Sequence, residues 1–129
     1  MNITGWGKLY ARTPLFKGCE VFVCMDHGGI IVSKDTLHTH PYFEKLKSVD
    51  LSKFQMENGD YAFEQDCNAS IILALVPREV LKVYYSYCKS EETYTGFYEH
   101  CLIMLEQFNP DVLEVITGNQ THQNGPRIV

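Results

Sequence analysis

The sequence predicts an α+β fold, in which a small antiparallel sheet with a β-hairpin is covered by C-terminal amphipathic helices. Two observations support this class. The apolar runs at residues 19–25 and 30–33 are rich in β-branched side chains and are joined by a short turn that contains glycine, which is typical of a hairpin. Apolar residues then recur every three or four positions between 94 and 108, as in an amphipathic helix. With 129 residues, we expect one domain at 1–118 and a flexible tail at 119–129.

The N-terminal half of the domain is predicted to carry the strands. Residues 8–15 are typical of a short strand or an extended arm that precedes the hairpin, and Pro14 limits its regularity. After the hairpin, Ser33 or Asp35 can cap a short helix that runs towards Lys47, and Pro41 must either lie near the first turn of that helix or break it.

The middle of the chain alternates turns and short elements. The Asn-Gly-Asp sequence at 58–60 marks a turn, and an extended segment follows at 61–63. Asp66 is the predicted N-cap of a helix that ends before Pro77. Residues 78–88 fit a strand as well as a helix; the helix is favoured because Pro77 suits its first position.

The C-terminal region gives the clearest helical pattern. Ser90 is the predicted cap of a helix over 91–108, and its three glutamates at seven-residue spacing are expected to form a solvated face. A last helix is capped by Asn109, has Pro110 at its first position and stops at Gly118.

Composition limits the functional classes. The net charge is −5 and no cluster of Lys and Arg occurs, so direct nucleic-acid binding is not expected. No apolar run is long enough for a membrane span, and no secretory signal pattern begins the chain. Five cysteines without a Cys-x-x-Cys pair indicate reduced thiols. We therefore expect a cytoplasmic protein with no cofactor, whose partner is another protein.

A His-x-His-Pro sequence supplies one candidate metal site. His38 and His40, followed by Asp50, resemble the zinc ligands of the JAMM metalloproteases, and the resemblance implies a metal-dependent hydrolase. In this sequence Lys47 stands where that family has a serine, and an ammonium beside a dication is unfavourable. The expectation is therefore that no metal is bound here, and the hydrolase is kept as the alternative function.

A second resemblance covers residues 21–77. The His27-Gly28-Gly29 turn and the block that contains Glu64, Asp66 and Cys67 resemble a family of phage- and plasmid-borne bacterial domains to which no activity is assigned. The resemblance implies binding residues at His27, Gly28, Gly29, Glu64 and Asp66. It also implies a phage or mobile-element origin. Together with the small size, the negative charge, the eight tyrosines and the lack of a complete catalytic set, it favours a non-enzymatic accessory protein. We expect this protein to bind a host protein, such as a component of a host defence system, through an acidic or aromatic surface in the host cytoplasm.

Overall fold

The computed structural model describes residues 2–3 and 5–118 and has an α+β fold. Its antiparallel sheet contains five strands in chain order, and the predicted tail at 119–129 lies outside the described residues. The strands are β1 (Asn2–Ile3), β2 (Gly7–Phe16), β3 (Cys19–Cys24), β4 (Gly28–Val32) and β5 (Tyr61–Glu64).

The predicted hairpin is present as β3 and β4, with Val21 opposite Ile30. The strand expected at 8–15 is also present as β2, which pairs with β3 and has register irregularities after Leu9 and after Pro14. A proline has no backbone N–H to donate, so an irregular ladder at Pro14 agrees with its chemistry.

The helices are short except for one. They are α1 (Lys34–Thr39), α2 (Ser70–Leu73), α3 (Arg78–Leu81), α4 (Glu91–Phe108) and α5 (Pro110–Thr117), with 3₁₀ turns at Pro41–Ser48, Ser52–Phe54 and Ser86–Cys88. The predictions for α4 and α5 are confirmed. Ser90 accepts a hydrogen bond from the backbone N–H of Thr93, and Gly118 ends α5 in the left-handed conformation at φ 75°.

The helix expected from Ser33 to Lys47 is instead two elements. Ser33 caps α1 as predicted, with its hydroxyl oxygen accepting from the N–H of Thr36. His40 then takes an extended conformation, which is the preference of a residue that precedes proline, and a 3₁₀ segment begins at Pro41. Pro41 therefore breaks the predicted helix.

Two of the helical predictions were wrong in extent. Asp66 does not cap a helix, because the chain turns through 65–69 and α2 begins only at Ser70. The helix predicted for 78–88 is limited to α3, and Pro77 is its N-cap instead of its first residue. At Gly59 the turn prediction is confirmed: φ is 95°, and the Asn58 side chain accepts from the N–H of Asp60 at 2.9 Å.

The sheet separates two apolar clusters of different size. The larger lies between the sheet and the helices, and its fully buried side chains include Phe63, Ile72 and Leu105. The smaller cluster contains Trp6, Phe22, Cys24 and Ile31 on the other face of the sheet. Within residues 5–118, no helix combines the length and the apolar character that crossing a membrane requires.

Candidate functional site

The structure brings His27, Glu64 and Asp66 together at one end of the sheet. In an antiparallel pair, the first residues of one strand lie beside the last residues of its neighbour. His27 directly precedes β4, and Glu64 is the last residue of β5, whose ladder partner is Gly29. Strand pairing therefore joins two parts of the sequence that are 37 positions apart (64 minus 27).

Backbone hydrogen bonds fix the two segments that carry these side chains. The N–H of Gln65 donates to the carbonyl of Gly28 at 2.8 Å, which ties the end of β5 to the start of β4. The Glu64 carbonyl accepts from three backbone N–H groups in the turn that follows, including that of Asn68 at 2.8 Å. The N–H of His27 donates to the carbonyl of Trp6 at 3.2 Å.

The side chains of this group are close but accessible. His27 Nδ1 lies 3.8 Å from Glu64 Oε1, and one potential ligand atom from each of His27, Glu64 and Asp66 lies within 4.8 Å of the other two. His27 and Asp66 are exposed, and Glu64 is half-buried. We call these three residues the His27 cluster.

Gly28 and Gly29 lie inside β4, not in the turn that was predicted for them. Neither glycine has a positive φ. Glycine is therefore needed here because neighbouring atoms approach its backbone closely, and not because of a left-handed conformation. A Cβ at Gly29 would collide with the Phe63 carbonyl oxygen and would lie 2.6 Å from the Trp6 ring. The absence of a side chain at Gly29 therefore lets Trp6 cover this part of the sheet. A binding role for the two glycines stays a prediction.

The alternative metal ligands are divided between two environments. His38, near the end of α1, lies 3.3 Å from the Tyr61 hydroxyl, and with Asp50 it lines a cleft of about 520 Å³. His40 is outside that lining; its ring packs against Phe16 and Tyr42 with centroid distances of 4.9 and 4.2 Å. Hydrogen bonds from Ser52, through its backbone and its side chain, lower the pKa of Asp50.

The five cysteines are free thiols, and four of them are buried. Burial raises the pKa of Cys19 to about 12 and that of Cys101 to about 11. Cys67 is only half-buried; its pKa is also raised, first by burial and then by the Glu64 carboxylate. None of these environments is that of an activated nucleophile.

We expect iodoacetamide at about pH 8, close to the ordinary thiol pKa, to alkylate Cys67 of the folded protein before Cys19 or Cys101. A thiol with a raised pKa contains less thiolate at any given pH, and burial also blocks the reagent. Peptide mass spectrometry after timed alkylation, with and without denaturant, measures the order. Early alkylation of Cys19 or Cys101 in protein with a native circular dichroism spectrum would contradict this assignment.

A second surface, on α4, was not predicted from the sequence as a site. Tyr87, Glu92, Thr93, Gly96, Phe97 and His100 line an open groove of about 430 Å³, which we call the α4 groove. The Thr93 hydroxyl donates to the Tyr87 carbonyl at 2.6 Å and holds the two sides together. Apart from its chain neighbours and the nearby backbone of α4 itself, no described atom lies within 4 Å of where a Cβ of Gly96 would be, so the groove has an open floor.

The solvated face predicted for α4 carries more than its glutamates. Glu92, Glu99 and Glu106 are exposed as expected. Ile103 lies on the same face, four positions after Glu99 and three before Glu106, and is 62% exposed. This isolated apolar residue among acids is the signal by which the sequence could have indicated a docking surface.

Comparison with known proteins gives no relative of this domain. No protein-family model, no curated protein and no solved structure matches the chain.

Proposed function

We propose that this domain acts by binding a basic, amphipathic segment of another protein in the α4 groove. One observation carries the proposal: an apolar groove shares an exposed helix surface with glutamates that form no ion pair among residues 5–118. The side chains of Tyr87 and Phe97 give the groove apolar walls, and Glu92 contributes a carboxylate at its rim. A partner that inserts apolar side chains between Lys or Arg residues would satisfy both features.

The negative charge of α4 indicates that the partner is basic. The 18 residues of α4 include four glutamates and no Lys or Arg. None of these glutamates forms an ion pair within the described part of the chain, so their carboxylates are available to a cationic partner. An acidic surface also accelerates encounter with a basic partner at low ionic strength.

Tyr87 is the exposed aromatic side chain of the groove, and it is suited to contribute binding energy to a complex. Tyr87 is 64% exposed, and tyrosines are among the residues that contribute most to protein interfaces. Phe97 is half-buried, and it packs on Tyr85 and Tyr94 with ring centroids 5.6 and 6.2 Å away. One wall of the groove is therefore held rigid before a partner arrives, which lowers the entropic cost of association.

The resemblance to phage- and plasmid-borne domains adds the source of the partner. We propose that the partner is a protein of the host cell that carries the phage or mobile element. Binding to it would serve to inhibit a host defence system. The alternative, a metal-dependent hydrolase with His38, His40 and Asp50, receives less support because the ring of His40 is packed against aromatic side chains away from the cleft that His38 and Asp50 share.

Immobilised domain should retain a host protein from bacterial lysate, and the double variant Tyr87→Ser/Glu92→Gln should retain at least about tenfold less of that same protein. Truncation of a hot-spot tyrosine costs about 2 kcal/mol or more, which exceeds the roughly 1.4 kcal/mol that corresponds to tenfold in affinity. Retention should also decrease as salt is raised. Quantitative mass spectrometry measures recovery, and chemical cross-linking should place the retained protein against α4.

Tyr10→Ser is the matched control, because Tyr10 is an equally exposed tyrosine, at 69%, and lies on β2 outside the groove lining. It should retain the same protein as wild type. Equal recovery by the groove variant and wild type, cross-links that map away from α4, or no protein retained by folded domain would each overturn the proposed function. Circular dichroism of every variant verifies that the fold is intact.

A further inference from the structure

We propose that the His27 cluster binds a divalent transition-metal ion of the zinc class. This inference is independent of the α4 groove, and it departs from the expectation that the chain takes no cofactor. One imidazole nitrogen and two carboxylate oxygens converge at the end of β4 and β5. Imidazole together with carboxylates is a ligand set that zinc and its neighbours in the first transition row accept.

The geometry needs only a small adjustment to hold an ion. Ligand bonds of about 2.1 Å in a tetrahedral site place the donor atoms about 3.4 Å apart. His27 Nδ1 and Glu64 Oε1 are already 3.8 Å apart, and the whole group lies within 4.8 Å. Because His27 and Asp66 are exposed, rotation about their side-chain bonds can bring the donors into bonding range without a change in the backbone.

Charge also favours a cation at this position. Glu64 and Asp66 bring two carboxylates together, and no Lys or Arg within residues 5–118 forms an ion pair with either of them. A dication would offset the repulsion between the two carboxylates. The Glu64 carboxylate instead faces the imidazole of His27, which is itself a metal ligand when neutral.

The backbone supplies the rigidity that a bare acidic surface lacks. His27 and Glu64 come from segments joined by the Gln65 N–H to Gly28 carbonyl bond, and Asp66 follows in a turn closed on the Glu64 carbonyl. Three protein ligands leave further coordination positions open to water or to a group of another molecule. The site is thus of the open type, in which an ion can bridge the domain to an additional ligand.

Isothermal titration of the full chain with zinc chloride tests the site, with amide chemical-shift mapping to locate the bound ion. We expect one zinc per chain and shifts concentrated at His27 and at residues 64–66. His27→Gln and Glu64→Gln should each weaken zinc binding about tenfold or more, since even outer partners of metal ligands contribute tenfold to a hundredfold. Both substitutions keep side-chain size close to the original.

His100→Gln is the control, because His100 is an exposed histidine on α4 and should leave zinc affinity unchanged. Cys67→Ser separates thiolate from carboxylate ligation, and it should also leave the affinity unchanged. Zinc affinity that is the same in His27→Gln as in wild type, or that is lost in Cys67→Ser, would overturn the proposal. The result does not depend on the α4 groove, because Tyr87→Ser/Glu92→Gln should bind zinc as wild type does.

Discussion

Replacing Gly29 with alanine is expected to lower the free energy of unfolding by about 3 kcal/mol, the upper part of the usual range for overpacked sites. The new methyl group would collide with the Phe63 carbonyl oxygen and with the Trp6 ring, which lies 2.6 Å from its position. The carbonyl belongs to the β4–β5 ladder and has little freedom to move. Urea unfolding followed by circular dichroism measures the change.

Gly96→Ala is the matched control for this substitution. Gly96 lies within α4, and an added Cβ would meet no described atom within 4 Å beyond its chain neighbours and the nearby backbone of the helix. Alanine is also the better helix former by about 0.5–1 kcal/mol. The same glycine-to-alanine change should therefore stabilise the protein at one site and destabilise it at the other. Unfolding free energies of Gly29→Ala and wild type that agree within about 0.5 kcal/mol would mean that Trp6 does not pack on this strand as described.

Truncation of Leu105 is expected to have an effect of similar size. Leu105 is fully buried in the larger cluster, and Leu→Ala in such a position costs about 2–5 kcal/mol through lost burial and the cavity that remains. The expected result is a lower urea midpoint with an unchanged dependence on denaturant. An intact far-ultraviolet spectrum before unfolding would show that α4 is still formed.

The neighbouring apolar residue Ile103 supplies the comparison on the same helix. It is 62% exposed, so Ile103→Ala should change the unfolding free energy by no more than about 0.5 kcal/mol. If Leu105→Ala lowered the unfolding free energy as little as Ile103→Ala, this would contradict the orientation of α4 in which Leu105 faces the core.

The elements that sequence reasoning found are those in which local chemistry decides the structure. Ser90 as cap and the three-to-four spacing after it were sufficient for α4, and Gly118 was sufficient for the end of α5. The segment at 66–88 was harder because it is divided into α2, α3 and a 3₁₀ turn, each of which is too short to show a periodic pattern. The ends of α2 and α3 depend on tertiary contacts, which the spacing of apolar residues in the sequence does not reveal.

The same distinction applies to the candidate sites. His27, Glu64 and Asp66 could be named from the sequence. Their convergence depends on the pairing of β4 with β5, which cannot be predicted from the residues of either strand alone. The separation of His38 from His40 depends on Pro41, which ends the helix of His38 and could be identified in the sequence. The α4 groove needed the position of Tyr87, which lies in a short 3₁₀ turn without a periodic signal.

The chain order of the sheet has a consequence for how the domain assembles. The β2–β3 and β3–β4 ladders close over only a few residues, whereas β5 joins β4 after the intervening segment 33–60. Closing that longer loop costs about 2 kcal/mol more in chain entropy than closing the β3–β4 turn. Local pairs therefore form at lower entropic cost, and we expect β5 to be the last of these strands to gain its partner. On this order, Glu64 would reach His27 late in folding, after the segment that carries the imidazole is already in place.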